Sequence, residues 1–179
     1  VTPAAMHPLC AVHTRQRLGG RRARSQRPLD RVQLDMVDVL EVEAALLGGV
    51  EVEFQHTGDE LLITPPAPIP AGETFSATVR YSGHPKSQGS FDGFHWAETS
   101  AGEPWVNSSC QGTGSPAWWP GKASYFHPDD KPERVSANMT VRSDLYAVTN
   151  GRLTGTSDDW PEWAKQREGE WKTFSWRHD

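Results

Sequence analysis

The chain has 179 residues, of which 36% are hydrophobic and 23% charged, with 16 Gly and 14 Pro. This composition predicts one domain with a modest core and many connections, and it disfavours a long helical bundle. No window approaches the roughly 18 consecutive apolar residues of a membrane-spanning helix. We therefore expect a soluble chain with no membrane span, for which the cytoplasm is the favoured compartment. Two cysteines, Cys10 and Cys110, are too few for a disulfide framework or a four-cysteine zinc site.

The positive charge is concentrated at the beginning of the chain. Residues 1–31 hold seven Arg and the single acid Asp30, so they carry +6, while the rest carry −11 of the formal net charge of −5. Residues 1–28 show no hydrophobic period and predict a basic leader without regular structure, followed by a β-domain over residues 29–179. A basic arm for nucleic acid or an anionic membrane and a presequence are alternatives, but a disordered or non-native leader is favoured. The acidic remainder argues against a nucleic-acid partner.

Several segments alternate apolar and polar residues with a period of two, which is typical of half-buried β-strands. Their apolar positions are, in chain order, Val32, Leu34 and Met36; Val50, Val52 and Phe54; Phe75, Ala77, Val79 and Tyr81; and Val135, Ala137, Met139 and Val141. Residues 61–63 and 171–176 are two further candidate strands. The sequence therefore predicts many short strands distributed along the chain.

Turn residues separate these segments. Gly48-Gly49 and residues 57–59 predict chain reversals, and residues 83–85 end the third strand. No long helix is predicted, and the acidic, Trp-rich residues 158–170 hold at most one short turn, because Pro161 limits it. Short strands with Gly and Pro turns predict an all-β fold, a sandwich or saddle of antiparallel strands with little helix.

The motifs of several hydrolase classes are absent from the sequence. None of the seven His is followed by Glu and no two are four residues apart, so the His-Glu-x-x-His helix of zinc hydrolases is missing. There is also no Gly-x-Ser-x-Gly elbow. His127 with Asp129 and Asp130 is the nearest approach to a metal site, and a solvated turn is the favoured interpretation. Cys110 has no adjacent base, so a buried small hydrophobe is favoured over a nucleophile.

Eight Trp in 179 residues need an explanation. The adjacent Trp118 and Trp119 point to opposite faces if the chain is extended there, so that one is a core residue and the other an exposed platform. An exposed indole that stacks on sugar rings indicates a carbohydrate-binding module. A core and a docking face for another domain is the favoured alternative, because Trp is enriched at protein interfaces.

A series of short motifs resembles one known family in its order along the chain. The motifs are Leu34-Asp35, Ala71-Gly72-Glu73 leading to Tyr81-Ser82-Gly83, Gly93-Phe94, residues 107–122 with Trp118-Trp119-Pro120, Asp129-Asp130-Lys131-Pro132, and Thr149-Asn150-Gly151. Over residues 28–179 this order resembles the amino-terminal β-domain of the gluzincin zinc metallo-aminopeptidases, the family of aminopeptidase N and leukotriene hydrolase.

The resemblance implies a saddle-shaped β-domain that covers a separate, thermolysin-like catalytic domain. In that family a Gln or Glu on the loop before the Trp-Pro segment binds the free α-amine of the peptide N-terminus. Gln111 matches that position, with Cys110 and Gly112 beside it. Gly93-Phe94 is expected in a loop.

The catalytic segments of the family do not occur in the chain, which ends at Asp179. The resemblance therefore implies a truncated, non-catalytic substrate-capping domain with no catalytic residue and no metal ligand of its own. Zinc is expected in the missing catalytic domain, whose activity is the removal of N-terminal amino acids from peptides. The alternative is a stand-alone β-sandwich that binds carbohydrate or protein through exposed Trp.

Overall fold

The computed structural model of the chain describes residues 23–85, 87, 89, 92–110, 114–122, 134–159 and 171–179. These residues belong to two compact units, a larger one up to Lys122 and a smaller one from Arg134 to Asp179. Both units consist of antiparallel strands. The predicted all-β fold with little helix is confirmed.

Ten short strands are described in the larger unit. In chain order they are β1 (Ala23–Arg24), β2 (Val32–Asp35), β3 (Leu40–Leu47), β4 (Val50–Val52), β5 (Phe54–Thr57), β6 (Glu60–Ile63), β7 (Thr74–Phe75), β8 (Ala77–Gly83), β9 (Asp92–Glu98) and β10 (Pro104–Cys110). Their sheets have the strand orders β4-β3-β8, β2-β6-β5, β1-β7 and β10-β9. Three of the six strand pairs, β3-β4, β5-β6 and β9-β10, join neighbours in sequence, as expected where tight turns connect antiparallel strands.

The first two hairpins turn at the glycines that the sequence predicts. Gly48 and Gly49 have φ angles of 60° and 87° and join β3 to β4, where Leu47 lies opposite Val50. Two consecutive residues with positive φ make the tight turn whose twist matches that of the strands, and glycine adopts it at no steric cost. Gly58, with φ of 59°, begins the turn between β5 and β6.

The core of the larger unit consists of the apolar faces of these strands. Leu61 and Ile63 of β6 have no exposed surface, whereas Leu62 between them is half-buried, which is the alternation expected of a strand with one buried face. Burial of one such side chain stabilises the fold by roughly 1.5–3 kcal/mol. The other buried members of the core are Val32, Met36, Val37, Leu40, Ala45, Leu47, Ile69, Val79 and Tyr81.

The regular structure begins earlier than the sequence predicts. Ala23–Arg24 lies within the predicted unstructured leader but pairs as β1 with β7, and Ser25 is only 4% exposed. The backbone N–H of Ser25 donates to the carbonyl of Glu73, and the N–H of Gly72 donates to the carbonyl of Ser25. These bonds satisfy the backbone of a segment that has no hydrophobic period to reveal it. The prediction of no regular structure is therefore wrong for residues 23–24; residues 1–22 lie outside the described part.

The alternating run from Phe75 to Tyr81 forms two strands rather than one. The run breaks at Ser76, so that β7 pairs with β1 and β8 pairs with β3. The carbonyl of Ser76 accepts a hydrogen bond from the N–H of Gly48. One continuous alternating pattern thus contributes a strand to each of two sheets.

The smaller unit has one three-stranded sheet in the order β11-β13-β12 among its described residues. Its strands are β11 (Val135–Arg142), β12 (Arg152–Thr156) and β13 (Trp171–His178). Phe174 in the central strand is 1% exposed and packs against the ring of Tyr146. The Trp176 indole N–H donates to the carbonyl of Ala147 over 3.1 Å. The two predicted strands of this region are confirmed, and β13 extends two residues beyond its prediction.

Helical structure within the described ranges amounts to two three-residue 3₁₀ turns, Ser115–Ala117 and Ser157–Asp159. The second turn falls at the start of the predicted short turn in residues 158–170, of which residues 160–170 lie outside the described part. Neither turn has the length or the apolar character that a helix needs to cross a membrane.

Candidate functional site

The candidate site lies where β10 ends. Cys110 is the last residue of this strand, is exposed, and carries a free thiol. Gln111 and Gly112, the other two predicted site residues, follow it directly and lie outside the described residues. Their contact with a substrate amine therefore stays a prediction. The structure describes the segments on either side of them, strand β10 before and the residues from Gly114 onward after.

Strand β9 supports β10 along its whole length. The register places Phe94 opposite Ser108 and Trp96 opposite Val106. Gly93-Phe94 thus belongs to a strand, and the expectation of a loop at this position is wrong. Phe94 and Trp96 are two residues apart, so they share one face of the hairpin. Phe94 is 9% exposed on that face, which is what a strand with one buried side requires.

A 3₁₀ turn follows the loop and connects it to the core. In Ser115–Ala117 the buried Pro116 accepts a hydrogen bond on its carbonyl from the N–H of Val37 over 3.1 Å. A few residues later, the backbones of Gly121 and Asp35 exchange two hydrogen bonds of 3.0 and 2.7 Å. The segment after the loop is therefore fixed to strand β2 and to the residues that follow it.

Trp118 and Trp119 stack on each other, and the prediction that they point to opposite faces is wrong. Their ring centroids are 5.1 Å apart with an interplanar angle of 2°. Opposite orientation requires an extended backbone, but both backbone N–H groups donate to the carbonyl of Ser115, the first residue of the 3₁₀ turn. Both side chains are half-buried, and Trp119 packs against the core of the larger unit. Neither is an exposed platform.

The stacked pair ends a row of aromatic side chains that we call the aromatic row: His84, Trp96, Phe94, Trp118 and Trp119. His84 stacks on Trp96 at 4.4 Å, Phe94 lies 5.1 Å from Trp96, and Phe94 lies 6.1 Å from Trp118, the last two pairs in tilted geometry. Offset and tilted pairs contribute about 0.5–1.5 kcal/mol each beyond their buried area. The aromatic row therefore joins the β9–β10 hairpin to the turn after the loop.

Two further hydrogen bonds involve Trp118. Its indole N–H donates to the Cys110 sulfur over 3.1 Å, and its carbonyl accepts a hydrogen bond from the Tyr81 hydroxyl over 2.8 Å. The first bond spans the loop that contains Gln111. Sequence reasoning identified Tyr81 only as a core position, and it missed the partnership of Trp118 with Cys110. The alternation of Phe94 and Trp96 is the one signal that could have predicted the aromatic face of β9.

The Trp119 indole N–H is buried and has no hydrogen-bond partner in the described part of the chain. Trp105 on β10 is more exposed to solvent than Trp119, because 53% of its surface is accessible. The most exposed described indole is therefore not in the Trp-Trp-Pro segment.

Metal-binding groups do not come together where the structure is described. No cluster of three or more His, Cys, Asp or Glu side chains is found there, so these residues do not fit a zinc centre. The predicted turn at His127, Asp129 and Asp130 lies outside the described residues.

No protein-family model matches the chain, and no curated protein sequence matches it. Its fold does match solved structures. The M1 zinc metallopeptidase from Deinococcus radiodurans matches with a TM-score of 0.69 and 23% identity, over 87% of this chain and 32% of the peptidase. A mutant of the same peptidase matches with a TM-score of 0.67 and 25% identity, over 86% and 32%. Leukotriene A4 hydrolase from Saccharomyces cerevisiae matches with a TM-score of 0.52 and 16% identity, over 86% and 22%.

These matches cover nearly all of this chain but only part of each peptidase. The chain spans about a third of the length of the Deinococcus peptidase. The likeness resides in the fold, since the identities are low. The chain therefore has an all-β fold found within the M1 zinc metallopeptidases, and the predicted resemblance to the zinc metallo-aminopeptidases is confirmed at that level.

Proposed function

We propose that this chain is a non-catalytic substrate-capping domain of a zinc metallo-aminopeptidase. One observation carries the proposal: 87% of the chain matches about a third of an M1 zinc metallopeptidase with a TM-score of 0.69. A similar structure of this group is described as a two-domain peptidase. The part of such an enzyme that the chain does not cover is the place for the zinc and the catalytic groups.

The capping role centres on the loop that follows β10. Gln111 offers a carboxamide oxygen, which accepts hydrogen bonds, and a peptide N-terminus offers an ammonium group with three donors. A hydrogen bond to a charged group contributes about 1.5–3 kcal/mol. An acceptor held at this point selects peptides with a free α-amine and sets how far the chain of the substrate can enter. This is the selection that an aminopeptidase needs.

The proposed ligand agrees with the molecules bound to similar proteins. One structure of the Deinococcus M1 peptidase holds a Tyr-Ser-Ala substrate, and another similar M1 peptidase structure holds L-arginine. Each has a free α-amine and a different first side chain. The peptide N-terminus is therefore the ligand that we assign to the loop, and a thermolysin-like catalytic domain is the assigned partner.

The isolated chain tests the non-catalytic part of this proposal. Purified in the presence of zinc and then dialysed, it is expected to retain no stoichiometric metal and to release no chromophore from aminoacyl anilides. Hydrolysis that a chelator abolishes and that copurifies with the chain would contradict the proposal, because it would place a working zinc centre within these 179 residues.

Carbohydrate binding is the second candidate, and the exposure of Trp105 is the observation that favours it. Its indole is 53% exposed on β10, where a sugar ring could stack on its open face. Titration of the tryptophan fluorescence with oligosaccharides distinguishes the two candidates. A saturable shift that Trp105→Ala removes would support carbohydrate binding, whereas a capping domain is expected to show none.

A further inference from the structure

We propose that the open edge of strand β10 binds an extended basic peptide, which adds to the β9–β10 hairpin as a third strand. Strand addition of this kind joins main-chain groups by hydrogen bonds, while the side chains on either side determine which sequence binds. We call residues 104–110 together with Glu98 and Glu103 the β10 edge. All of these residues are described, and binding there requires neither a free α-amine nor zinc.

The backbone of β10 is paired on one side only. Its residues pair with β9 from Pro104 opposite Glu98 to Cys110 opposite Asp92, and among the described residues these two strands form a sheet of their own. In an antiparallel pair, every second residue directs its N–H and C=O away from the partner strand. Outside this pairing, no backbone hydrogen bond joins residues 104–110 to another described residue. The outward groups of β10 are therefore available to another strand.

The side chains of β10 are exposed on both faces of the hairpin. Trp105 is 53% and Val106 is 37% exposed, and the adjacent Asn107 and Ser108 are exposed as well. Successive strand residues point to opposite faces, so Trp105 lies on one face and Val106 on the other. A third strand beside β10 therefore has an apolar neighbour on each face, at the spacing where cross-strand pairs interact.

Strand β10 lacks the features that usually protect an exposed edge, which are a Lys, a Pro, a bulge or a very short strand. Its register with β9 is unbroken over seven residues, it contains no Lys, and its one Pro is the first residue. Two other edge strands are protected: β4 has three residues, and β12 has a register shift between Leu153 and Gly155. The β10 edge therefore allows a further strand to pair along most of its length.

The charge of the hairpin favours a basic partner. Residues 87–121 contain no Lys or Arg, and their three acids are Asp92, Glu98 and Glu103. Glu98 and Glu103 are exposed and lie where β9 turns into β10. A Lys or Arg on the added strand is attracted by these carboxylates and by the face of the exposed Trp105 indole. A second copy of the chain is disfavoured as the partner, because two acidic hairpins repel each other.

The hairpin is anchored on its other strand, so the edge is formed before a peptide arrives. Phe94 of β9 is 9% exposed, and its ring lies 5.1 Å from Trp96 and 6.1 Å from Trp118. The Trp96 indole N–H donates to the carbonyl of Pro85 over 2.9 Å. A preformed site binds its ligand more tightly than one that is ordered on binding.

The probe is the heptapeptide Thr-Val-Arg-Val-Arg-Val-Thr with an acetylated N-terminus and an amidated C-terminus. As a strand, it places both Arg on one face and the three Val on the other. Two matched peptides separate the contributions. One has Pro at the central Val, which removes a main-chain donor and disfavours a strand interior. The other has Glu in place of both Arg. The measurement is an NMR titration of the full chain, followed at the amide signals of residues 104–110.

We expect the Arg peptide to bind saturably, with the largest shifts at residues 104–110 and slower hydrogen exchange of alternate amides there. The Pro peptide should not bind. The Glu peptide should bind at least about 5-fold more weakly, since one exposed ion pair changes affinity by about 1.5- to 5-fold and two are lost and replaced by repulsion. Absence of saturable binding, shifts confined to other strands, or equal binding of the Pro peptide would overturn the proposal.

Variants of the chain test the side chains that select the peptide. Glu98→Gln/Glu103→Gln should weaken binding of the Arg peptide about 2- to 10-fold. Trp105→Ala should weaken it about 2- to 5-fold. Val50→Ala is the matched control, because Val50 is 65% exposed on the edge strand β4, and it should leave the affinity unchanged.

If circular dichroism shows that Trp105→Ala does not fold, the double Gln variant decides, since both of its positions are exposed. Unchanged affinity in every folded variant of the β10 edge would contradict selection of a basic peptide. Sedimentation of the chain without peptide tests the other occupant: dimers that Trp105→Ala abolishes would assign the edge to a second copy and overturn the proposal.

Discussion

The backbone of Gly151 lies against the carbonyl of Arg177 on the neighbouring strand β13, and a Cβ added to the glycine would stand 2.3 Å from that oxygen. Gly151 also has a φ of 100°, which L residues with a side chain rarely adopt. The Thr149-Asn150-Gly151 motif therefore has a structural reason that is independent of any ligand. It allows the chain to enter β12 in close contact with β13.

Gly151→Ala is expected to destabilise the smaller unit by more than about 2 kcal/mol, because backbone strain and a clash with main-chain atoms act together. Gly102→Ala is the control, since Gly102 has a φ of 79° but nothing within 4 Å of a built Cβ, so that only the strain of roughly 1–2 kcal/mol applies. Urea unfolding followed at NMR amide signals of each unit measures both. Equal losses in the two variants would contradict the close packing at Arg177.

The core of the larger unit should depend on Leu61. This side chain has no exposed surface, so Leu61→Ala leaves a cavity and is expected to cost about 2–5 kcal/mol in the free energy of unfolding. Val50→Ala removes apolar surface from a residue that is 65% exposed and should stay within about 0.5 kcal/mol of the wild type. Denaturant unfolding measures the free energy of unfolding of both variants and the wild type. A loss below 1 kcal/mol at Leu61 would mean that this core is not formed as described.

The carboxyl of Asp144 accepts hydrogen bonds from the Arg142 guanidinium, and this partner lowers the Asp144 pKa below its ordinary value of 3.8, although desolvation opposes part of the shift. A lowered pKa in the folded state means that the stabilisation is present above pH 3.8 and is lost as the pH falls through the folded-state value. Because the pair is exposed, the effect on stability is small.

Arg142→Gln is therefore expected to raise the Asp144 pKa toward 3.8, as measured by a carbon-13 NMR titration of the carboxyl. Asp179 is the internal control, because hydrogen bonds from Arg177 and Arg134 lower its pKa and neither residue is changed. An Asp144 titration that is identical in wild type and variant would show that the Arg142 contact does not form in solution.

Gln111→Ala tests the proposed amine-binding residue. In an aminopeptidase that carries this domain, we expect kcat/KM for aminoacyl anilides to fall about 10- to 150-fold, the equivalent of losing a hydrogen bond of 1.5–3 kcal/mol to a charged group. Gln111→Glu keeps an acceptor oxygen and should retain most of the activity. Steady-state kinetics measure both variants. An unchanged kcat/KM in Gln111→Ala, or a larger loss in Gln111→Glu than in Gln111→Ala, would show that Gln111 is an ordinary loop residue.

The sequence predicted the strands and turns that local residue patterns determine. The alternation of Val135 to Val141 and the glycines at 48 and 49 fix a half-buried strand and a tight turn through local chemistry, and both are confirmed. Features that depend on distant partners were not predictable. Ala23–Arg24 becomes a strand only because β7 pairs with it, and Phe75 and Val79 belong to different sheets although they share one pattern.

At the candidate site, too, local motifs could be recognised from the sequence, whereas contacts between distant residues could not. The resemblance predicts Gln111 as a site residue, which stays a prediction, and it predicts none of the described contacts beside that position, because the contacts from Trp118 to Cys110 and Tyr81 join residues 8 and 37 positions apart. The stacking of Trp118 and Trp119 follows from a 3₁₀ turn that begins with Ser115-Pro116, and extended geometry was the wrong assumption there. Local patterns do not report which side chains a turn brings together.

A domain exchange tests the central proposal most directly. The structurally matched third of the Deinococcus M1 peptidase is replaced by this chain, and hydrolysis of an aminoacyl anilide is compared with that of its N-acetylated form. We predict chelator-sensitive hydrolysis of the free-amine substrate alone, with no activity in the same catalytic part lacking any capping domain. A folded, zinc-loaded exchange protein that hydrolyses neither substrate, or both equally, would contradict the assignment of this chain as a cap that recognises the peptide amine.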